Sequence, residues 1–248
     1  MNPRRVKSRV VTISACTMSR VNGDAFSRLD AENAQEAHSV LIPPRNLPGI
    51  LQIPEKSYAL VAFAHGSGSS HLSPRNMFVA NALNDRGFAT LLFDLLTPEE
   101  EGRRANVFDI RLLAGRLVDA VRWLDGKPAI ATFPLGLFGA STGAAAALVA
   151  AAALPLRIGA VVSRGGRPDL AGEALDSVLA PTLLIVGGAD FGVIELNERA
   201  LARLAGPKAL KIVPGASHLF PESGALETVI EYAGEWFERH LGQRLSVE

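Results

Sequence analysis

A chain of 248 residues, 48% hydrophobic and 20% charged, has enough apolar material for a substantial core, in one large domain or two small ones. Its 25 basic and 25 acidic residues balance, so no overall field draws it to nucleic acid or to an anionic membrane. A single cysteine, Cys16, excludes an intrachain disulfide framework and a cysteine-based metal site, and fits a reducing, cytoplasmic location.

Residues 1–38 hold Arg4, Arg5, Lys7, Arg9 and Arg20 with no acid before Asp24, and show little periodicity beyond a short helical stretch from Asp30 to Ala37. They read as a loosely attached N-terminal extension. Val10-Val11-Thr12-Ile13 is too short for a signal peptide. The ordered domain is expected over 39–241, with a C-terminal tail at 242–248. It opens with two short strands, Val40 to Ile42 and Gly49 to Ile53, joined through a proline-rich turn. Tyr58 to Ala64 is a continuous apolar strand suited to the middle of a sheet, ending in His65-Gly66-Ser67-Gly68-Ser69-Ser70. Pro74 to Arg86 has helical spacing, with Phe78, Val79, Ala82 and Leu83 on one face and Gly87 as the stop.

Phe88 to Phe93 is another buried strand, ending at Asp94. A polar stretch, Thr97 to Asn106, follows. Asp109 to Leu124 is an amphipathic helix. The apolar run Pro134 to Phe138 then leads into Gly139-Ala140-Ser141-Thr142-Gly143, and an alanine-rich run, Ala144 to Ala153, leads out. The stretch from Gly143 to Leu156 is too short to span a membrane and is closed by Pro155 and Arg157, so it reads as a buried helix. Beyond it come strands at Ile158 to Val162, Thr182 to Val186 and Ala209 to Val213, with helices at Asp169 to Leu175, Val193 to Leu204 and Glu222 to His240. Strand and helix alternate throughout, which predicts an α/β fold: a mainly parallel, doubly wound sheet with an antiparallel N-terminal edge.

In such a sheet the chemistry gathers beyond the carboxyl ends of the strands. Ser141 stands there in a strand–turn–helix setting, with glycine two residues to either side, the pattern of a nucleophile elbow. Asp190 and His218 follow, each at the end of a later strand. Singly, each residue has a plainer use: Ser141 or Asp190 could cap a helix, and His218 could be an ordinary loop histidine. Together they form a nucleophile, an acid and a base in the order such a fold requires. His218 would take the Ser141 proton, and Asp190 would hold the imidazole. The oxyanion would be met by the backbone N–H groups of Thr142 and Ser67.

The segments Phe63 to Gly68, Gly139 to Gly143, Val186 to Asp190 and Pro214 to His218 resemble the α/β-hydrolase fold and, within it, the dienelactone hydrolase family. The resemblance spans roughly Ser39 to Leu241. It implies hydrolysis of a small carboxylic ester or lactone with no cofactor and no metal. The family's namesake enzymes carry cysteine at the nucleophile position, whereas this chain has Ser141, so activity on dienelactones does not follow. The same three residues could instead serve an amidase or peptidase, or persist in a non-catalytic ligand-binding module.

His65, Arg75 and Arg164 are candidate substrate contacts. His65 could also anchor the oxyanion loop. The two arginines, with Arg167, could meet an anionic part of a substrate. Equally, they could pair with Asp94, Asp169 or Glu99 to Glu101. Only one short helix fits between Val162 and Thr182, so the site is expected to be uncapped, with Thr97 to Asn106 as the remaining flap. The expected partner is a small-molecule ester or lactone, with no nucleic acid and no membrane. Oligomeric state is left open.

Overall fold

The computed structural model describes residues 37–242. Cys16, the helix expected to begin at Asp30, nearly all of the N-terminal extension and all of the tail beyond Gly242 lie outside the described residues.

The chain begins its ordered course with an antiparallel pair, β1 (Ala37–Ile42) and β2 (Leu47–Gln52). Ala37, expected to close a helix, instead opens β1. The uninterrupted apolar runs become β3 (Ala59–Ala64), β4 (Phe88–Phe93) and β5 (Leu135–Ala140), buried along their whole lengths. Runs without alternation suit strands covered on both faces. β6 (Ile158–Arg164), β7 (Thr182–Gly187) and β8 (Lys208–Val213) complete an eight-stranded sheet in the order β1-β2-β4-β3-β5-β6-β7-β8. Pairings from β4 through β8 are parallel, and β2 meets β4 antiparallel.

The strand order reverses at β3 and β5, which lie side by side although β4 separates them in sequence. Such a reversal opens a crevice at the carboxyl ends of the strands. The loops after β3 and β5 both emerge there.

The helices are α1 (Pro74–Asp85), two short pieces α2 (Pro98–Glu101) and α3 (Arg104–Val107), α4 (Ile110–Asp125), α5 (Thr142–Ala153), α6 (Phe191–Arg203) and α7 (Ala225–Leu241). A 3-10 helix at Pro168–Ser177, kinked at Gly172, joins β6 to β7. That joint is short and no cap is inserted in it. α1 and α7 pack together and share a core with the sheet that includes Phe63, Phe88, Phe138 and Phe237. Phe237 is wholly buried, with its ring centroid 6.1 Å from that of Phe88; truncation to alanine would cost about 3–5 kcal/mol. α5 packs against β3, β5 and β6, and α4 and the 3-10 helix pack on α5. Its alanines from Ala144 to Ala147, with Ala150 and Ala151, have no accessible surface, so the helix lies close against the strands that lead into the crevice.

One helical face differs from expectation. Phe78 is 47% exposed, while Asn76 and Asn84 are buried beside Val79, Ala80 and Leu83. The stripe is rotated because both asparagines satisfy their amides inside the protein. Asn84 bonds to Phe88 O and Thr90 Oγ1, and Asn76 to Arg164.

Candidate active site

Ser141 sits between β5 and α5 with φ 51° and ψ −121°. This is a conformation that non-glycine residues avoid, and it persists only where surrounding structure imposes it. The two flanking glycines are steric necessities. A Cβ on Gly139 would run into the backbone of Ala144, and one on Gly143 into the carbonyl of Ala64. The turn therefore closes tightly enough to lift Ser141 Oγ to the head of the sheet.

Asp190 and His218 arrive from the ends of β7 and β8. These strands pair in parallel, and their loops remain tied beyond the sheet, with Ala189 N–H donating to Ala216 O at 2.9 Å. Asp190 occupies the N-cap position of α6 but does not cap it with its side chain. Its Oδ2 instead lies 2.7 Å from His218 Nδ1. That bond places the proton on Nδ1 and leaves Nε2 bare, facing Ser141 Oγ at 3.4 Å. The three side chains expected to act together are thus adjacent. The serine–histidine spacing is at the long end of a hydrogen bond.

The loop after β3 returns over the elbow. Ser67 N–H, expected to face an oxyanion, donates to Thr142 Oγ1 at 3.0 Å. That donor is therefore engaged within the protein. Thr142 N–H stands at the first position of α5, where no intrahelical acceptor exists. His65 is not among the residues lining the cleft. Its Nδ1 donates to Gly66 O at 3.0 Å and its Nε2 accepts Leu95 N–H at 3.1 Å. Both ring nitrogens are used by the protein, so His65 ties the loop after β3 to the backbone beyond β4. Burial pushes its pKa down, which keeps the ring neutral. His71 is similarly committed, to Asp94 at 2.8 Å.

A cleft of about 1080 Å³ opens over Ser141, bordered by His218, the 66–70 loop, the start of α1 and the α2–α3 segment. The expected flap is thus one wall of the cleft. Arg75 and Arg164 both line it. Arg167 does not. Its guanidinium makes a two-pronged pair with Asp169 at 2.8 and 2.7 Å, the plainer of its two expected uses. Arg164 is buried, with Nη2 donating to Asn76 Oδ1 at 3.3 Å. Burial, and then the charge of Arg75, hold its pKa down to about 10. Asn76 and Arg104 also line the cleft, and sequence reasoning missed both. Asn76 had a readable signal, a polar residue spaced with Ala80, Leu83 and Asn84 on a face that packs inward.

A mixed sheet of this order, with an elbow serine at its reversal point and a histidine–aspartate pair beyond two later strands, is an α/β-hydrolase. The chain is 55% identical to a dienelactone hydrolase from Anabaena variabilis, with 84% of this chain and 98% of that one aligned at a TM-score of 0.79. It belongs to the dienelactone hydrolase family. An α/β serine hydrolase without a lid, from Xanthomonas campestris, shares the fold at 23% identity and a TM-score of 0.65, covering 86% of this chain and 97% of that one. A Mycobacterium tuberculosis protein with a provisional phosphoribosyl transferase name is 60% identical over 206 residues, which make up 83% of this chain and 46% of that protein. The chain thus spans about half the length of the curated relatives it matches first. No family model matches it. Among the described residues, no helix is long and apolar enough to cross a membrane.

Proposed function

We propose that the domain is a serine hydrolase that cleaves a small carboxylic ester or lactone through an acyl-enzyme. One observation carries the reading: His218 bridges Asp190 and Ser141 at 2.7 and 3.4 Å, with Ser141 held at a positive φ. Ser141 Oγ attacks the carbonyl carbon while its proton passes to His218 Nε2. Asp190 keeps the other ring nitrogen protonated and stabilises the cation that forms. The developing oxyanion draws on Thr142 N–H and takes Ser67 N–H from the Thr142 hydroxyl. Collapse breaks the bond to the leaving alcohol, which receives the proton from Nε2. Water then attacks the acyl-enzyme by the same route and restores Ser141.

The absence of a cap among the described residues favours small soluble substrates over lipid aggregates. The transferase name of the longer Mycobacterium relative fits this site less well. Phosphoribosyl transfer is a displacement at a sugar carbon and has no need of a serine activated by a histidine–aspartate pair.

A fluorophosphonate probe tests the reading. Wild type should label and Ser141→Ala should not. Failure of folded wild type to label would overturn it. Parallel assays on chromogenic acetate esters and anilides then separate ester cleavage from amide cleavage, with the ester expected to be the better substrate.

A further inference from the structure

Arg164 is 6% exposed and lines the cleft, yet no carboxylate among the described residues pairs with it. Nη2 reaches the neutral amide of Asn76, and Nη1 has no hydrogen-bond partner. A guanidinium keeps its charge under conditions in which a buried lysine would shed it. Even with its pKa lowered to about 10 by burial and by Arg75, Arg164 is a cation at neutral pH. A buried, unpaired charge is costly, and a ligand of opposite charge removes the cost. Arg167, three residues on, shows the contrast: away from the cleft, the same side chain is neutralised by Asp169.

Three further features point the same way. The first turn of the twelve-residue helix α1 borders the cleft, so its dipole adds positive potential there, although Pro74 has no N–H and Ser73 Oγ takes that of Asn76, which leaves Arg75 N–H as the donor of that turn. Arg75 and Arg104 line the cleft too, and neither has an ion pair among the described residues. The lining holds one acidic side chain, Glu101. Three arginines against one glutamate leave a surplus of two positive charges, which matches a dianion better than a monoanion. The location is also close to the nucleophile, because Ser141 N–H donates to the Arg164 carbonyl at 3.3 Å.

We propose that Arg164, Arg75 and the N-terminus of α1 form a phosphate subsite, so that the ester or lactone opened at Ser141 carries a phosphate monoester at its far end. This rests on the hydrolase reading for the reaction, but not for the binding. The phosphate is held and not cleaved. Its oxygens accept from the Arg164 guanidinium, including the unpartnered Nη1, and from Arg75 at the rim.

Calorimetric titration of the full chain at constant ionic strength tests this, with inorganic phosphate, phenyl phosphate and benzoate as probes. Both phosphates should bind with Kd of roughly 1 mM or tighter, and benzoate about tenfold more weakly. Arg164→Gln should weaken phosphate binding about tenfold or more, and Arg75→Gln about threefold. Arg199→Gln, on α6 away from the cleft, should bind as wild type does. Circular dichroism checks folding, and if Arg164→Gln does not fold, Arg75→Gln decides. The subsite is overturned if wild type binds no phosphate at about 50 mM. It is also overturned if the folded cleft variants bind phosphate like wild type, or if benzoate matches phenyl phosphate. Turnover of 4-nitrophenyl acetate, measured separately, keeps the two readings apart. Phosphate binding without turnover supports the subsite and counts against the hydrolase, whereas turnover without phosphate binding overturns the subsite alone.

Discussion

The backbone nitrogen of Ser67 and the hydroxyl oxygen of Thr142 lie 3.0 Å apart, joining the loop after β3 to the first residue of α5. On the proposed mechanism this bond fixes the spacing of the two oxyanion donors, and the oxyanion takes Ser67 N–H from the Thr142 hydroxyl. Preorganised donors matter more for turnover than for ground-state binding. Thr142→Val keeps the shape and removes the acceptor. Its kcat on a chromogenic ester should fall about tenfold with KM little changed, and Thr142→Ser should restore most of the loss. An unchanged kcat in the valine variant would mean that His65 alone fixes the loop.

The elbow predicts an opposition between stability and activity. Ser141 is strained at φ 51°, a conformation glycine adopts freely. Ser141→Gly should therefore be inactive yet more stable than Ser141→Ala by about 1–2 kcal/mol in urea unfolding. Gly143→Ala should do the reverse, because its methyl has no room against the Ala64 carbonyl. It should lose several kcal/mol, about the cost of overpacking a closed core. Equal stability of the glycine and alanine variants at Ser141 would show that the turn stores no strain.

Much of this site was legible because its geometry is local. Gly139 and Gly143 announce a turn that admits no side chain, and continuous apolar runs announce the strands around it. Phe88 to Phe93 was bounded from sequence as it stands in the fold. Legibility ended where a residue's role depends on a distant element. Arg164 and Arg167 lie three residues apart with equal claims on a ligand. One is buried against α1, from far back in the chain, and the other folds onto its near neighbour Asp169. His65 is readable from sequence as an anchor of the loop, and also as a candidate substrate contact. Its partner lies beyond β4, where Leu95 N–H donates to Nε2, a contact that local sequence does not reveal. The inner face of α1 was misread for a related reason. Hydropathy ranks Phe78 above Asn76, but an asparagine whose amide is bonded inside can be buried, and a phenylalanine can remain outside.

Burial of His65 makes the fold sensitive to acid. Its pKa is held below the ordinary 6.5, chiefly by desolvation. Asp94 and Glu101 oppose the shift and His71 adds to it. Well above pH 6.5 the ring is neutral in both folded and unfolded chains and contributes nothing. As pH falls through 6.5, the unfolded chain binds a proton that the folded protein does not, so stability drops until the folded pKa is reached. Replacing the ring by His65→Gln removes this titration. The slope of unfolding free energy against pH below 6.5 should then be shallower in the variant than in wild type. An unchanged slope would move the sensitivity elsewhere, first to His240, whose pKa is also lowered by burial and by Arg239.

Asp190 separates catalysis from architecture. Its carboxylate leaves α6 uncapped and goes to His218 Nδ1 instead, so it is spent on the imidazole and not on the helix. Asp190→Asn preserves volume and the local turn, in which Asp190 N–H donates to Gly187 O at 3.0 Å. An amide nitrogen facing Nδ1 favours the tautomer that carries its proton on Nε2, where it can no longer accept from Ser141. On the proposed mechanism, kcat on a small ester should fall about a thousandfold to ten-thousandfold, with KM and thermal stability near wild type. Labelling by a fluorophosphonate should slow in parallel, since it needs the same deprotonation. If the asparagine variant labelled at the wild-type rate, Ser141 would owe its reactivity to the elbow alone, and the assignment of Asp190 as the acid would fall.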